Sequence, residues 1–436
     1  MKHIVALSLC FVSLFANRLV TNAKADVSPG DTITKETLAQ AEAFLTPSTR
    51  WMVEQGMPIH VIEARRVEWP KAYKEATEKY AAQVRIAEDG GDISNYIAGC
   101  PFPAIDINDA LAGYKIMWNH EQSPAVIDNA GTTFVSEVVD NNGENVRSYE
   151  IPWRRLMWSG RLYADPKPVI AHNPPTRHSN LFGPIFLPHD LKGLALLFFH
   201  YTSRDTPDDT YIYSPEMRRV RRISFANRSD ALGGSDFDVD SMYGFNGSIA
   251  HWTFRLLAEK EILGVVHSGK YGDPSQWCAP RNGKHGILSA LPCVSWEKRK
   301  VFVVEGTPTA YPREYAYSKR ILYMDREFFG PIVHEMYDQK GELWKGMLPC
   351  IHYTKKPYEG YPRNPLSGGK YNYVEEQGFV PNWTLVDLQN QQATIGESPP
   401  SNQQAATWRN EWYFNEEISD NEPDTYSIGM LSRGGR

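Results

Sequence analysis

The chain has 436 residues and carries 46 basic against 52 acidic side chains, a net charge of −6. This balance argues against nucleic acid as a partner, because binding to nucleic acid depends on basic side chains that neutralise phosphates. The length exceeds one typical domain, but no linker rich in glycine, serine or proline precedes the C-terminal end, so one large domain with elaborations is predicted.

The first segment, 1–25, has the order of a secretory signal peptide. Lys2 precedes an apolar run over 4–16, and Ala23-Lys24-Ala25 follows as a cleavage site with small residues. The run is shorter than the roughly 20 apolar residues that span a bilayer. Cleavage removes three basic residues and no acidic one, which leaves a net charge of −9. We therefore expect the mature chain to be exported from the cytoplasm.

Residues 26–91 are predicted to form an N-terminal helical segment. Thr34 is a candidate N-cap, and Leu38, Ala41 and Leu45 follow at the spacing of one buried helix face. A second helix is predicted from Pro70, with apolar residues at steps of three and four until the glycines at 90 and 91.

Residues 92–388 show short runs of aromatic and β-branched residues between turn residues, which is typical of successive antiparallel strands. The predicted strands are 114–118, 133–139, 147–151, 158–164, 194–201, 209–213, 219–224, 252–259, 301–306, 316–325, 331–337 and 343–348. Because few helices intervene, we predict a mainly β (α+β) fold with one large antiparallel sheet, curled or closed, and N-terminal and capping helices. Residues 389–436, rich in Gln, Asn, Ser and Pro, are expected to form an irregular C-terminal extension.

Four cysteines follow the predicted cleavage site, and three pairings are possible. Cys278 and Cys293 flank a loop rich in Pro, Gly and Asn, so we predict a disulfide between them. The second predicted disulfide then joins the two remaining cysteines, Cys100 and Cys350, which are far apart in the sequence. Zinc is the alternative reading, but no C-x-x-C pair is present, so no metal site is predicted.

Motifs for catalysis are absent from the sequence. It has no G-x-S-x-G or H-E-x-x-H motif, and its histidines are scattered. His172 and His178 lie in a proline-rich stretch near His189 and Asp190, where no regular geometry would direct metal ligands. We therefore predict that the protein is not an enzyme and has no cofactor.

The acidic run Asp236-Phe-Asp238-Val-Asp240 imitates the start of a calcium-binding loop. Gly247 stands where such a loop needs a bidentate glutamate, so the acids are predicted to be turn and helix-cap residues. The run follows a basic cluster, and we expect the two to pair, with a phosphate site as the alternative. The basic residues are Arg218, Arg219, Arg221, Arg222 and Arg228.

Several segments resemble known families. Residues 211–223, followed by Gly233-Gly-Ser-Asp236-Phe, resemble a strand–turn–strand and a "GSDF" signature of LolA-like outer-membrane lipoprotein-sorting proteins. Residues 317–325 and 335–343 are similar to later strands of those proteins. Residues 97–103 and 115–119 are similar to a larger branch, the domain-of-unknown-function family 1329. Together the segments span about 90–350.

This resemblance implies that 92–388 form an incomplete antiparallel β-barrel around helices, with an apolar cavity for acyl chains. It implies a periplasmic carrier of a lipid, a lipoprotein acyl chain or another hydrophobic molecule. The implied partners are that ligand and either an inner-membrane transporter of the resistance-nodulation-division type or an outer-membrane acceptor. The alternative is an envelope-assembly scaffold protein with a filled core that recognises a protein partner.

Large apolar residues on the predicted strands are the candidates for lining this cavity, because aromatic side chains line most apolar ligand sites. The alternative is that they fill a core, and a one-residue error in strand register would reverse the predicted face. The candidate ligand-binding residues are Trp118, Trp158, Phe198, Tyr213, Tyr323, Met336 and Trp344.

Overall fold

The computed structural model describes residues 26–433 apart from 126–127, 224–227, 270–273, 310–314, 355–376, 399–412 and 415–420. The predicted signal peptide, 1–25, lies outside the described residues. The α-helices are α1 (Leu38–Ala41), α2 (Pro47–Glu54), α3 (Lys71–Tyr80), α4 (Ala112–Glu121) and α5 (Ile428–Ser432). The strands are β1 (Thr32–Ile33), β2 (Ile59–Val61), β3 (Arg85–Ile86), β4 (Ile93–Ser94), β5 (Asn129–Val139), β6 (Asn145–Met157), β7 (Thr176–Phe182), β8 (Ala195–Tyr201), β9 (Asp209–Ser214), β10 (Arg219–Arg222), β11 (Trp252–Gly264), β12 (Ser295–Pro308), β13 (Lys319–Asp325), β14 (Pro331–Tyr337), β15 (Leu343–Thr354), β16 (Gln377–Asp387), β17 (Gln392–Glu397) and β18 (Tyr413–Phe414).

Sixteen of these described strands form one sheet. Its order is β1-β2-β12-β13-β14-β15-β16-β17-β5-β6-β7-β8-β9-β10, with β11 beside β12 and β18 beside β5. No pairing among the described strands joins β10 to β11, so the sheet is not closed. The predicted mainly β fold with one large sheet is therefore confirmed.

One pair departs from the predicted antiparallel arrangement. β2 and β12 run parallel, with His60 opposite Ser295 and Val61 opposite Trp296. Parallel neighbours need a long connection, and more than two hundred residues separate these strands. The N-terminal segment thus contributes strands to the sheet edge as well as helices.

The strand β8 shows how the sheet is held between two cores. All seven of its residues are buried. Because neighbouring residues point to opposite faces, Leu197 and Phe199 pack in a core with Leu156, whereas Phe198 packs in another with Met242. β8 therefore lies in the interior of the fold, as an apolar strand between two layers does.

Two predicted strands are not strands. Residues 114–118 lie in helix α4, where Gly113 lets the helix approach β11, since a Cβ there would lie 2.7 Å from the Phe254 carbonyl oxygen. Residues 158–164 form a turn-rich loop. The carboxylate of Asp128 accepts hydrogen bonds there from the backbone N–H groups of Leu162, Tyr163 and Ala164, which are donors that a paired strand would need.

The predicted boundary at residue 388 does not hold for β17. This strand lies between β16 and β5, in the interior of the sheet. Its sequence, Gln-Ala-Thr-Ile-Gly-Glu, is short and polar at both ends, so composition alone indicated a loop. The second predicted helix also ends early, at Tyr80, before the short strand β3.

One of the two predicted disulfides is formed. Cys278 and Cys293 are bonded, with 4.8 Å between their Cα atoms. The prediction for Cys100 and Cys350 is wrong, because both are free, buried thiols in different cores. Burial raises the pKa of Cys100 to about 12.

Candidate ligand cavity

A cavity of about 420 Å³ lies against one face of the sheet. Nine consecutive strands in sheet order, from β14 through β15, β16, β17, β5, β6, β7 and β8 to β9, contribute side chains to its wall. A sheet that surrounds a cavity with nine neighbouring strands must curl around it. The volume falls within the roughly 300–1,000 Å³ that small-molecule sites occupy.

The lining residues alternate along the strands. Side chains two residues apart in a strand point to the same face, so a strand that runs along the cavity can give every second residue to its wall. This spacing is clear in β6, with Tyr149, Ile151, Trp153 and Arg155, and in β15, with Met347, Pro349, Ile351 and Tyr353.

The segment 228–246, which we call the cover segment, contributes a second part of the wall. Its lining residues include Leu232, Phe237, Met242, Tyr243 and Phe245. It contains a short 3-10 helix, Val239–Gly244, and it follows the hairpin of β9 and β10. The cavity is thus bounded by sheet on one side and by an irregular segment on another.

The acidic run anchors the cover segment. Asp238 accepts a hydrogen bond from the backbone N–H of Ser241 and so caps the 3-10 helix, at 2.9 Å, as predicted. Its carboxylate also pairs with Arg320 at 3.1 Å. Asp240 pairs with Arg228 at 2.6 Å and accepts a hydrogen bond from Tyr315.

The predicted pairing of the acidic run with the basic cluster holds for Arg228 alone. Arg222 instead forms an ion pair with Asp209 on the neighbouring strand of its own hairpin. Arg218, Arg219 and Arg221 are exposed on the turn and the edge strand β10. The three arginines are thus exposed whereas the aspartates of the acidic run are buried, a difference that the order of residues along the chain does not reveal.

A polar wall lies where α4 meets β7. Glu121 Oε1 accepts a hydrogen bond from His178 Nε2 at 2.9 Å and lies 3.4 Å from Arg177 Nη1. Asn180 Nδ2 lies 3.2 Å from His178 Nδ1, which fixes the latter as the acceptor and Nε2 as the protonated nitrogen. Asn180 Oδ1 accepts from Tyr243 at 2.7 Å. The side chains of Glu121, His178, Asn180 and Tyr243 thus hydrogen-bond to one another.

Burial sets the charge states in this wall. It lowers the pKa of His178 to about 3, and the ring of His200, stacked on it with 4.3 Å between centroids, acts in the same direction. Burial alone would raise the pKa of Glu121, but the contacts with His178 and Arg177 outweigh it and hold that pKa well below the usual range. The wall therefore contains an ionised carboxylate beside a neutral histidine.

None of the seven predicted ligand-binding residues is among the lining residues of this cavity. Trp118 is buried in α4 and donates a hydrogen bond to the Gly90 carbonyl oxygen. Trp158 lies just past the end of β6 and packs in one core with Tyr213. Phe198 packs in the core that includes the lining residue Met242.

The remaining three predicted residues lie farther along the sheet. Trp344 donates a hydrogen bond to Asp387, and Met336 shares its core. Tyr323 lies in another core and donates to Glu335. The structure thus distributes the seven residues over four hydrophobic cores rather than one site, and their contribution to ligand binding stays a prediction.

Some lining residues outside the predicted set follow a sequence pattern that is typical of a strand. In the run Tyr149-Glu150-Ile151-Pro152-Trp153 every second residue is large and apolar, which indicates a strand with one apolar face. The contribution of the cover segment has no such pattern, because its side chains reach the cavity through loop geometry.

Other kinds of site find no support in the described part of the chain. No group of three or more His, Cys, Asp or Glu side chains is arranged there to hold a metal ion. Among the helices described, none has the length and apolar character needed to cross a membrane.

The fold and site define a class of protein: an open, mostly β sheet curled around an apolar cavity. The chain belongs to a family of proteins of unknown function, DUF1329, whose family model matches residues 32–421. This confirms the resemblance to family 1329. A comparison with curated proteins found no match.

Several solved structures are similar to the chain. One is a domain assigned to outer-membrane lipoprotein sorting from Vibrio parahaemolyticus, 18% identical with a TM-score of 0.47, covering 74% of this chain and 100% of that one. Another is a DUF1329 protein from Desulfovibrio piger, 14% identical with a TM-score of 0.46, covering 74% and 98%. A third, a LolA superfamily protein from Nitrosomonas europaea, is 13% identical with a TM-score of 0.36, covering 73% and 98%.

Proposed function

We propose that the protein binds and carries a lipid, a lipoprotein acyl chain or another hydrophobic molecule in the cavity beneath the cover segment. The observation that carries this proposal is a cavity of about 420 Å³ with a mainly apolar wall inside a curled sheet. Burial of apolar surface provides about 0.8 kcal/mol per methylene, so a 16-carbon chain would gain about 12 kcal/mol before the costs of ordering. That free energy suffices for reversible capture.

A binding role, rather than catalysis, agrees with the polar wall. Glu121, His178 and Asn180 hydrogen-bond to one another and use the proton-accepting nitrogen of the histidine internally. A general base needs a free acceptor within reach of its substrate. The wall therefore has a positioning role in this proposal.

The proposed location is the periplasm, and it rests on the predicted signal peptide. The proposed delivery partner is an inner-membrane transporter of the resistance-nodulation-division type or an outer-membrane acceptor, and it rests on the family resemblance alone. A carrier must release its cargo, so such a partner would displace the ligand or open the cover segment.

Two tryptophan substitutions on β6 test whether the cavity is the site. Ile151 lines the cavity, whereas Val146 on the same strand is 56% exposed. In a titration with N-phenyl-1-naphthylamine, an uncharged fluorescent probe, Ile151→Trp should weaken binding at least about tenfold by filling the cavity. Val146→Trp should bind the probe as the wild type does.

Equal binding by the two variants would exclude this cavity as the site. A wild-type protein that takes up neither the probe nor a fatty acid would favour the scaffold alternative instead. Thermal denaturation of both variants checks that each is folded.

A further inference from the structure

Two charged side chains, those of Glu121 and Arg155, are among the residues that line the cavity. They differ in their partners. The carboxylate of Glu121 accepts a hydrogen bond from His178 and forms an ion pair with Arg177 in the polar wall. The guanidinium of Arg155 forms no hydrogen bond or ion pair with any described residue, and its Nε is buried without a partner.

The surroundings of Arg155 are apolar or already satisfied. It lies over the ring of Tyr243, with 5.3 Å from its Cζ to the ring centroid. Its neighbour across the strand pair is Asn180, whose side-chain oxygen is used by Tyr243 and Trp153. Ala130 lies opposite on the other side. The cation–π contact partly compensates the charge but leaves the Nε–H donor without an acceptor among the described residues.

An unpaired cation in such a place is costly. Removing a charge from water without a hydrogen-bonded partner is unfavourable, and burial lowers the pKa of Arg155 accordingly. The guanidinium nevertheless stays charged, because arginine does not lose its proton in proteins. Glu121 attracts it but does not form an ion pair with it. One positive charge in the cavity wall is therefore left for a ligand.

We propose that the cavity binds an anionic amphiphile, with Arg155 binding a carboxylate or phosphate head group while the acyl chain lies against the apolar wall. This inference rests on the proposed carrier function and names its ligand class. A planar guanidinium presents parallel N–H donors that match two oxygens of either group. The alternation that places Tyr149, Ile151 and Trp153 in the wall also places Arg155 at the end of the same row.

The test is a competition assay on the full mature chain with N-phenyl-1-naphthylamine as the bound probe. Lauric acid, lauryl phosphate and lauryl alcohol are the competitors, at mildly alkaline pH and below their micelle concentrations. The three have the same chain and differ in the head group. We expect at least one of the two anions to displace the probe at a concentration lower than the alcohol needs by at least about tenfold.

Variants of two arginines on β6 locate the effect. Arg155→Met keeps the apolar length and should remove the preference for the anions over the alcohol, whereas Arg155→Lys should keep part of that preference. Arg147→Met is the matched control, because Arg147 pairs with Asp190 outside the cavity. A stronger effect of lauric acid indicates a fatty-acid ligand, and a stronger effect of lauryl phosphate indicates a phospholipid-like one.

Two results would overturn the inference, and they are distinguishable. If the wild type binds the probe but the alcohol competes as well as both anions, the head-group assignment is wrong and the carrier function stands. If neither the probe nor any competitor binds, both proposals fall. The wild-type comparison alone decides this, so the inference stays testable even where Arg155→Met does not fold.

Discussion

Asp238 and Arg320 form an ion pair with 3.1 Å between Oδ1 and Nη2, and both side chains are fully buried. The pair links the cover segment to strand β13 of the sheet. Hydrogen bonds from Tyr317 and Ser241 complete the coordination of the carboxylate, at 2.8 and 2.6 Å. The wall of the cavity therefore depends on a buried charge that is compensated from several directions.

Replacement of one partner in this pair should destabilise the fold. Asp238→Asn leaves Arg320 buried without its countercharge, and breaking a buried pair in this way costs about 3–5 kcal/mol. Arg255→Gln is the control, because Arg255 is 70% exposed in its pair with Glu305 and exposed pairs contribute little. Urea denaturation measures both free energies of unfolding, and similar losses in the two variants would contradict this account.

The stability of the protein should fall as the solution is acidified below pH 6.5, in part because of His178. The pKa of this histidine is about 3 in the folded state and 6.5 as its ordinary value. Below pH 6.5 the unfolded chain therefore binds a proton that the folded protein does not, and the free energy of unfolding decreases by about 1.4 kcal/mol per pH unit. Above pH 6.5 neither state is protonated and this contribution is complete.

His178→Gln should reduce that slope, because glutamine keeps a donor for Glu121 but does not titrate. The comparison uses urea denaturation at several values between pH 5 and 7. His285→Gln serves as the control, since His285 is exposed in the folded protein. An unchanged slope in His178→Gln would show that His178 is not a buried neutral group.

The cysteines provide a chemical test of the fold. Cys100 and Cys350 are buried free thiols, and burial raises the pKa of both, to about 12 for Cys100. We expect the folded mature chain to react with no thiol reagent and the denatured chain to react at two positions. Peptide mapping should find Cys278 and Cys293 linked. A bond between Cys100 and Cys350 would contradict the structure.

Removal of the Cys278–Cys293 bond should lower the free energy of unfolding. The bond closes a separation of 15 residues, for which the chain-entropy model gives about 3 kcal/mol. The double variant Cys278→Ser/Cys293→Ser, compared with the oxidised wild type in urea, measures this difference. A loss below about 1 kcal/mol would indicate that the loop is held by its other contacts.

Local sequence patterns were sufficient for most of the sheet. β8, β9 and β14 have apolar or alternating residues between clear turns, so period and composition place them correctly. α4 was mistaken for a strand because a short apolar run does not distinguish the two, and its burial on several sides comes from tertiary packing. β17 was missed because its position between β16 and β5 depends on strands far away in the sequence.

The site was harder to predict than the fold. Selection by size alone favoured Trp118 and Phe198, which fill cores, whereas the cavity wall is defined by strand face and by the cover segment. Tyr213 shows the effect of a one-residue error in strand face, because its neighbour Ile212 lines the cavity and Tyr213 does not. Arg155 could not be recognised as a candidate head-group ligand from the sequence, because its lack of partners among the described residues is visible only in the structure.

Native mass spectrometry shows whether the cavity holds an apolar ligand when the protein is isolated. The full chain would be exported to a bacterial periplasm, purified without detergent and measured intact, with lipid extraction of the same sample. We expect a discrete bound mass that disappears on denaturation and appears in the extract as an amphiphile. A protein that carries no such mass and also takes up no added fatty acid would contradict this expectation.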